Sequence, residues 1–79
     1  MALVVSLEKD DRDFRSIHPT KLAARYLVAE CDGKRMLQIN SYGSNDREMP
    51  EKLSQTLQFD EASARQLFEI LSREFGFGS

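Results

Sequence analysis

Hydrophobic and polar residues alternate with a period of two along several short stretches of this chain, which is the pattern of β-strands. In the first stretch, Leu3, Val5 and Leu7 occupy every second position. In the last stretch, Leu57 and Phe59 alternate with polar neighbours. The pattern predicts four strands, at residues 3–7, 22–30, 35–42 and 53–59.

An Asp-Gly pair separates the second and third predicted strands, and Asp-Gly is a favoured turn of two-residue β-hairpins. With Asp32 and Gly33 as the loop, the register assigns four pairs to one face: Cys31 with Lys34, Val28 with Leu37, Tyr26 with Ile39, and Ala24 with Ser41. The other face then holds Ala29 with Met36, Leu27 with Gln38, Arg25 with Asn40, and Ala23 with Tyr42. The turn and the sorting of hydrophobic residues agree, so we predict a hairpin.

A helix is predicted over residues 60–75. Asp60 is a favourable N-cap residue, and Glu61 suits the positive end of the helix dipole. Gly76 is the expected C-terminal stop. Between these ends the hydrophobic residues recur at helical spacing: Ala64, Leu67, Phe68, Leu71 and Phe75.

The order of elements predicts an α+β fold, with a four-stranded antiparallel sheet followed by one C-terminal helix, in a single domain of residues 1–79. One helix covers only one face of such a sheet. We expect it on the face of Tyr26, Val28, Leu37, Ile39, Leu53, Leu57 and Phe59. The opposite face would expose Leu27, Met36 and Tyr42 beside Arg25, Gln38, Asn40, Thr56 and Gln58. That composition fits a binding surface and a plain solvated face equally well.

A chain of 79 residues buries a small core, and folds of this size often depend on a disulfide, a metal or a partner. Cys31 is the only cysteine, so no internal disulfide forms, and one cysteine with one histidine does not make a zinc site. We therefore expect no metal or cofactor, and a homodimer. The interface residues we predict are the apolar ones of the helix and chain end: Leu67, Phe68, Leu71, Phe75 and Phe77.

The charge pattern bears on possible partners. The net charge of −2 argues against an indiscriminate binder of polyanions. Residues 16–59, however, carry six basic and five acidic residues, so the predicted sheet region is close to neutral. No apolar run approaches the ~20 residues of a membrane helix, and the start lacks a basic signal-peptide region, so we expect a cytoplasmic location.

Residues with catalytic potential are few. A nucleophilic cysteine needs a nearby base, and Cys31 and His18 are the only such pair in the chain. The ordinary interpretation is a thiol at a strand end and a histidine in a turn before Pro19. The carboxylates of Asp10, Asp11 and Asp13 lack the glycine and the terminal glutamate of a calcium loop. We expect a protein that is not an enzyme.

The residues Met36-Leu37-Gln38-Ile39-Asn40-Ser41-Tyr42 are followed by a polar loop with Pro50 and Lys52, and then by a strand that runs straight into the helix at Asp60. Over residues 23–75 this arrangement resembles the core of the positive-cofactor-four family of transcriptional coactivators and its small bacterial relatives. The resemblance implies a curved sheet, a homodimer built through the helices, and single-stranded DNA lying along the sheet. It also implies the contact residues: Arg25, Lys34, Arg35, Gln38, Asn40, Tyr42, Arg47, Lys52 and Thr56.

A second resemblance involves Tyr42-Gly43-Ser44, Ser54-Gln55 and Gln58-Phe59-Asp60. These segments look like a group of short bacterial proteins that sometimes bear the label methionyl-tRNA formyltransferase-like. We infer no formyl transfer from the label, because that reaction needs a folate site and an acid/base set. The chain has neither the length nor the residues for them.

Two functions from different classes follow. The first is a homodimeric domain that binds single-stranded DNA or RNA on the open sheet face. The second is a protein-interaction module, in which Leu27, Met36 and Tyr42, or the helix with Phe75–Phe77, contact a partner polypeptide.

Overall fold

The computed structural model of the protein describes residues 1–42 and 53–78. It confirms the α+β class and the order of four strands followed by one helix. The elements are β1 (Ala2–Val4), β2 (Ala24–Cys31), β3 (Lys34–Tyr42), β4 (Leu53–Phe59) and α1 (Glu61–Phe75). Within the described ranges, no helix is long and apolar enough to cross a membrane.

The β2–β3 hairpin forms as predicted. Val28 lies opposite Leu37 and Tyr26 opposite Ile39 in an antiparallel ladder. Asp32 and Gly33 both have positive φ angles, of 53° and 75°. Type I′ turns require positive φ at both loop residues, and the twist of these turns matches that of the flanking strands. The dipeptide therefore determines the register of the whole hairpin.

Two details of the predicted hairpin are wrong. Cys31 does pair with Lys34, but it lies three residues from Val28, and an odd number of steps leads to the opposite face of a strand. Cys31 and Lys34 therefore lie on the face of Leu27 and Gln38. The other error is the pair of Ala23 with Tyr42: β2 begins only at the following residue, and Tyr42 pairs with Leu53 of β4 beside an irregularity in the register.

The sheet is mixed rather than wholly antiparallel, which corrects the prediction. Its strand order is β1-β4-β3-β2, and β1 runs parallel to β4. β1 is also shorter than the predicted strand 3–7. This direction agrees with the path of the chain. Because β1 is parallel to β4, it leaves the sheet at the end where α1 begins. The next residues run beside that helix, and Leu7 N donates to Gln66 Oε1 (2.9 Å).

α1 begins and ends where the sequence predicts. Asp60 is the N-cap, and its Oδ1 accepts from Ser63 N (2.8 Å), while Asp60 N donates back to Ser63 Oγ (3.1 Å). This reciprocal pair is a capping box, which satisfies two backbone donors that a helix start leaves unpaired. Gly76 closes the helix with a left-handed φ of 70°.

The helix packs on β3 and β4, on the predicted face of the sheet. Phe59 (5% exposed) is the one buried hydrophobic side chain among residues 1–42 and 55–78. Tyr26 and Val28 of β2, on the same face, are exposed. The Leu53 side chain, assigned to this face, lies outside the described part. Leu57 of β4, assigned to the same face, is also exposed (45%), so within the described residues the buried core is limited to the surroundings of Phe59.

Candidate nucleic-acid interface on the polar sheet face

The sheet face opposite α1, here called the polar face, is built from cross-strand rows. One row joins Leu3, Gln58, Gln38 and Leu27 across all four strands. The next row joins Thr56, Asn40 and Arg25, and Tyr42 follows at the end of β3. Side chains in register on neighbouring strands lie on the same face, so these residues form one continuous surface.

A ladder of amides and hydroxyls connects β3 and β4 on the polar face. Gln58 Nε2 donates to Gln38 Oε1 (3.0 Å), and Gln38 Nε2 donates to Asn40 Oδ1 (2.9 Å). Thr56 Oγ1 donates to the same Asn40 oxygen (3.1 Å), and Asn40 Nδ2 donates to the Tyr42 hydroxyl (3.4 Å). The ladder carries no charge, and it holds five polar side chains in one connected arrangement.

Arg25 and Tyr42 combine at the end of the polar face. The guanidinium carbon of Arg25 lies 5.6 Å from the centre of the Tyr42 ring. That distance is within the range of a cation–π interaction, which prefers a cation over the face of the ring. An aromatic ring, a positive charge and neighbouring amides form the chemistry that contacts a base and its phosphate.

The polar face contains buried residues and residues that solvent can reach. Asn40 (7% exposed) and Thr56 (5% exposed) are buried, and their polar atoms take part in the ladder. Gln38, Gln58 and Tyr42 are half-buried, and Arg25 is exposed. Asn40 and Thr56 therefore hold their neighbours in place, whereas Gln38, Gln58, Tyr42 and Arg25 are the members of the polar face that solvent reaches.

The remaining basic candidates are placed differently. Lys34 lies on the polar face, at the turn end of β3, about 27 Å along the strand from Tyr42. Arg35 points to the other face, where its Nη1 lies 3.7 Å from Glu30 Oε1. The structure therefore does not bring Arg35 together with the polar face. Arg47 and Lys52 lie outside the described residues.

The predicted dimer residues do not share one environment. Leu67 is half-buried on the helix. Phe68, Leu71, Phe75 and Phe77 are exposed, and the rings of Phe75 and Phe77 meet edge to face with centres 5.3 Å apart. Four of the five predicted residues therefore remain on the surface of the single chain.

The segment that follows β1 runs beside the helix. Beyond the bond from Leu7 to Gln66, Lys9 Nζ lies 3.9 Å from Glu74 Oε2. These contacts draw residues 7–9 towards α1, on the side of the sheet away from the ladder. Leu27, at the middle of the polar face, stays 51% exposed. The described amino-terminal contacts thus leave the polar face accessible.

The residues weighed for catalysis make local contacts. His18 Nδ1 accepts a hydrogen bond from Thr20 N (3.0 Å), which is a turn interaction. Arg12 Nη2 donates to Asp10 Oδ2 (3.1 Å). The hydrogen bonds from the side chain and the backbone of Arg12 lower the pKa of the Asp10 carboxyl. Cys31 is an exposed free thiol. The expectation that this protein is not an enzyme stays a prediction.

Two features were missed at the level of sequence. Ser63 completes the capping box, and the signal for it was present in the spacing of Asp60 and a hydroxyl three residues later. Leu3 joins the polar face beside Gln58 through the parallel β1–β4 pair. That pairing links residues more than fifty positions apart, and no local signal marks it.

Comparison of the chain with protein-family models, with curated proteins and with solved structures found no match.

Proposed function

We propose that this protein binds single-stranded DNA or RNA on the polar face. The observation that carries the proposal is the Tyr42 ring, which Arg25 approaches at one face and the Asn40 amide contacts at the hydroxyl. A preorganised ring of this kind can stack on a base without first losing much conformational freedom. The family resemblance implies the same surface.

The charge distribution of the protein favours a binding mode that contacts the bases as well as the phosphates of a nucleic acid. A net charge of −2 gives little general attraction to a polyanion. On the polar face, Arg25 and Lys34 supply positive charge at the two ends, and the uncharged ladder lies between them. Amide side chains pair with base edges in single strands, where those edges are unpaired. Modest affinity with a limited salt dependence follows.

The test is a fluorescence-anisotropy titration of a short single-stranded oligonucleotide at low and at moderate salt. Binding is expected in low salt and should weaken as salt rises. Tyr42→Ala removes the stacking platform, which is worth about 1–3 kcal/mol per base, so the affinity should fall about 5- to 150-fold. Arg25→Ala should also weaken binding, and Arg25→Lys should recover the part that comes from charge alone.

Tyr26→Ala is the matched control, because Tyr26 is a 73% exposed tyrosine on the opposite face of β2, next in sequence to Arg25. It should leave the affinity within about twofold. Absence of binding at tens of micromolar protein in low salt contradicts the proposal. So does an equal loss of affinity in Tyr26→Ala and Tyr42→Ala.

The proposal includes a cytoplasmic location, and the exposed thiol of Cys31 is compatible with a reducing compartment. A protein-interaction module is the second candidate, and the exposed Leu27 at the centre of the polar face favours it. In that case Leu27→Ala, rather than Tyr42→Ala, would produce the larger loss of binding to a polypeptide partner.

A further inference from the structure

β2 lies at one end of the sheet, and its outer edge pairs with no strand in the described part of the chain. In an antiparallel hairpin, alternate residues exchange both backbone hydrogen bonds with the neighbouring strand, and the residues between them turn both groups outwards. The two-residue turn makes Cys31 and Lys34 a hydrogen-bonded pair. Counting back along β2 in steps of two, the outward backbone groups belong to Ala24, Tyr26, Val28 and Glu30.

This edge lacks the features that usually protect the edge of a sheet. Proteins keep exposed edges short, interrupt them with proline, a bulge or a charge, or cover them. β2 is eight residues long, whereas β1 at the opposite edge has three. β2 contains no proline, is exposed along its whole length, and pairs with β3 without a register shift. Its charged residues, Arg25 and Glu30, lie near its ends, so the backbone between them is open to another extended chain.

The helix-bearing side of this edge is apolar. Tyr26 (73% exposed) and Val28 (47% exposed) lie there. Val28 also lines an open apolar cleft of about 500 Å³, together with Phe68 of α1. A strand added to β2 lies about 4.8 Å from it, so the side chains of that strand on this side lie beside Tyr26, Val28 and the cleft. Apolar side chains therefore suit this side of an added strand.

The other side of the edge, on the polar face, is basic. The charged side chains of the described strands on this face are Arg25, near the start of β2, and Lys34, at its turn end. The acidic residue of β2, Glu30, lies on the helix-bearing side and forms an ion pair with Arg35. Acidic side chains of an added strand are therefore complementary to the polar face.

We propose that the edge of β2 binds an extended segment of a partner polypeptide, which adds a strand antiparallel to β2 on the four-stranded sheet. The bound segment has apolar side chains at every second position, on the helix-bearing side, and acidic side chains between them, on the polar face. Backbone hydrogen bonds supply the affinity, and the alternation of side chains supplies the specificity. The outward groups from Ala24 to Glu30 span about 20 Å, so about seven residues of the partner take part.

The antiparallel direction continues the pairing of β2 with β3, and it is the slightly more stable direction per residue. It also determines which backbone groups of the partner face β2. Residues that exchange hydrogen bonds in an antiparallel pair lie directly opposite each other, with their side chains on the same face. The outward groups of β2 belong to residues whose side chains lie on the helix-bearing side. The apolar residues of the partner therefore donate to β2, and its acidic residues turn their N–H groups to solvent.

The test is calorimetric titration of the protein with synthetic peptides of about nine residues, with both ends blocked. A peptide that alternates valine and glutamate should bind in the micromolar to millimolar range. A peptide of the same composition, with valines and glutamates in separate blocks, should bind about tenfold more weakly or worse. Lysine in place of glutamate should also weaken binding, because it places like charges together on the polar face. Equal affinity for the three peptides contradicts the proposal.

N-methylation of the alternating peptide tests the backbone pairing, because it removes chosen N–H donors. Methylation of the valine nitrogens should weaken binding about tenfold or more, since those donors face β2. Methylation of the glutamate nitrogens should leave the affinity within about twofold, since those donors face solvent. Equal effects of the two modifications, or the reverse order, overturn the proposal.

Val28→Pro tests the same pairing from the side of the protein. It removes an outward N–H of β2 and leaves the ladder with β3 intact, which is the setting in which an edge strand tolerates proline. It should weaken binding of the alternating peptide about tenfold or more. Val28→Ile keeps the donor and an apolar side chain, so its affinity should stay within about twofold. If Val28→Pro does not fold, the methylated peptides with the unaltered protein decide.

A second copy of this chain is the other occupant that the experiment can reveal. Self-association of the unaltered protein that Val28→Pro abolishes, measured by sedimentation, would assign the edge to that copy and overturn the proposal. Absence of binding at millimolar alternating peptide has the same consequence. None of these readouts uses an oligonucleotide, so failure of this proposal is distinguishable from failure of nucleic-acid binding.

Discussion

Asn40 is the residue on which the geometry of the polar face depends. Its Oδ1 accepts from Gln38 and Thr56, and its Nδ2 donates to the Tyr42 hydroxyl. A buried amide is tolerated only when its hydrogen bonds are made, and here all of the named partners lie within the sheet. The side chain that resembles a ligand contact in the sequence is thus an internal connector, and Tyr42 is the group it positions.

At the start of α1, Asp60 determines an acid dependence of stability. Its carboxylate accepts from the backbone and the hydroxyl of Ser63, and these bonds lower the pKa of Asp60 below its usual 3.8. A carboxyl with a lowered folded-state pKa stabilises the protein above the unfolded value, and that stabilisation is lost as the pH falls through the folded value. Thermal melts between neutral pH and about pH 2 should show this loss.

Two substitutions of Asp60 separate the effect of the capping hydrogen bond from the effect of the titrating charge. Asp60→Ala removes the cap and should lower the melting temperature by about 4–8 °C at neutral pH. Asp60→Asn keeps a capping oxygen that does not titrate, so it should retain most of the stability and show a weaker acid dependence. An unchanged acid dependence in Asp60→Asn would mean that other carboxylates cause it.

At the scale of elements, β2 and β3 form the part that sequence predicts best. Two features define this hairpin: positive φ angles at Asp32 and Gly33, and the alternation of side chains along the strands. Both depend on residues close together in the chain, so the sequence shows them directly. The direction of β1 could not be predicted in this way. It depends on the free edge of β4 and on the path beside α1, and both belong to the assembled fold.

The ladder couples β3 and β4, and a double-mutant cycle should measure the coupling. Asn40→Ala leaves the Thr56 hydroxyl without its acceptor and should destabilise the protein by about 1–3 kcal/mol. Thr56→Val, which keeps the shape, should cost about 1 kcal/mol. In urea denaturation the two effects should depart from additivity by at least about 0.5 kcal/mol, because the side chains share one bond of 3.1 Å.

Thr20→Val provides the control for that cycle. Thr20 lies in the exposed segment before β2, and it is the backbone N of Thr20 that donates to His18 Nδ1. Combined with Asn40→Ala, it should give an additive result within about 0.5 kcal/mol. Additivity for Asn40 with Thr56 as well would show that the bond between these two side chains contributes no cross-strand coupling.

The whole chain is expanded for its length. Its radius of gyration is 14.9 Å, whereas a compact domain of 79 residues has about 11.6 Å. A half-covered sheet and an extended connection of residues 8–23 account for much of the difference in physical terms. The proposed function depends on this incompleteness, because the sheet face that α1 leaves open carries amides and an aromatic ring.

The amino-acid sequence by itself determined the hairpin, the helix with its cap and stop, and the sorting of polar and apolar residues along each strand. These depend on turn geometry, capping and side-chain period, which act between residues close together in the chain. The tertiary structure alone decided the parallel direction of β1, the burial of Asn40 and Thr56, and the exposure of β2 beside α1. Those depend on which distant segments meet and on how wide a layer one helix can cover, and such relations exist only once the elements are packed.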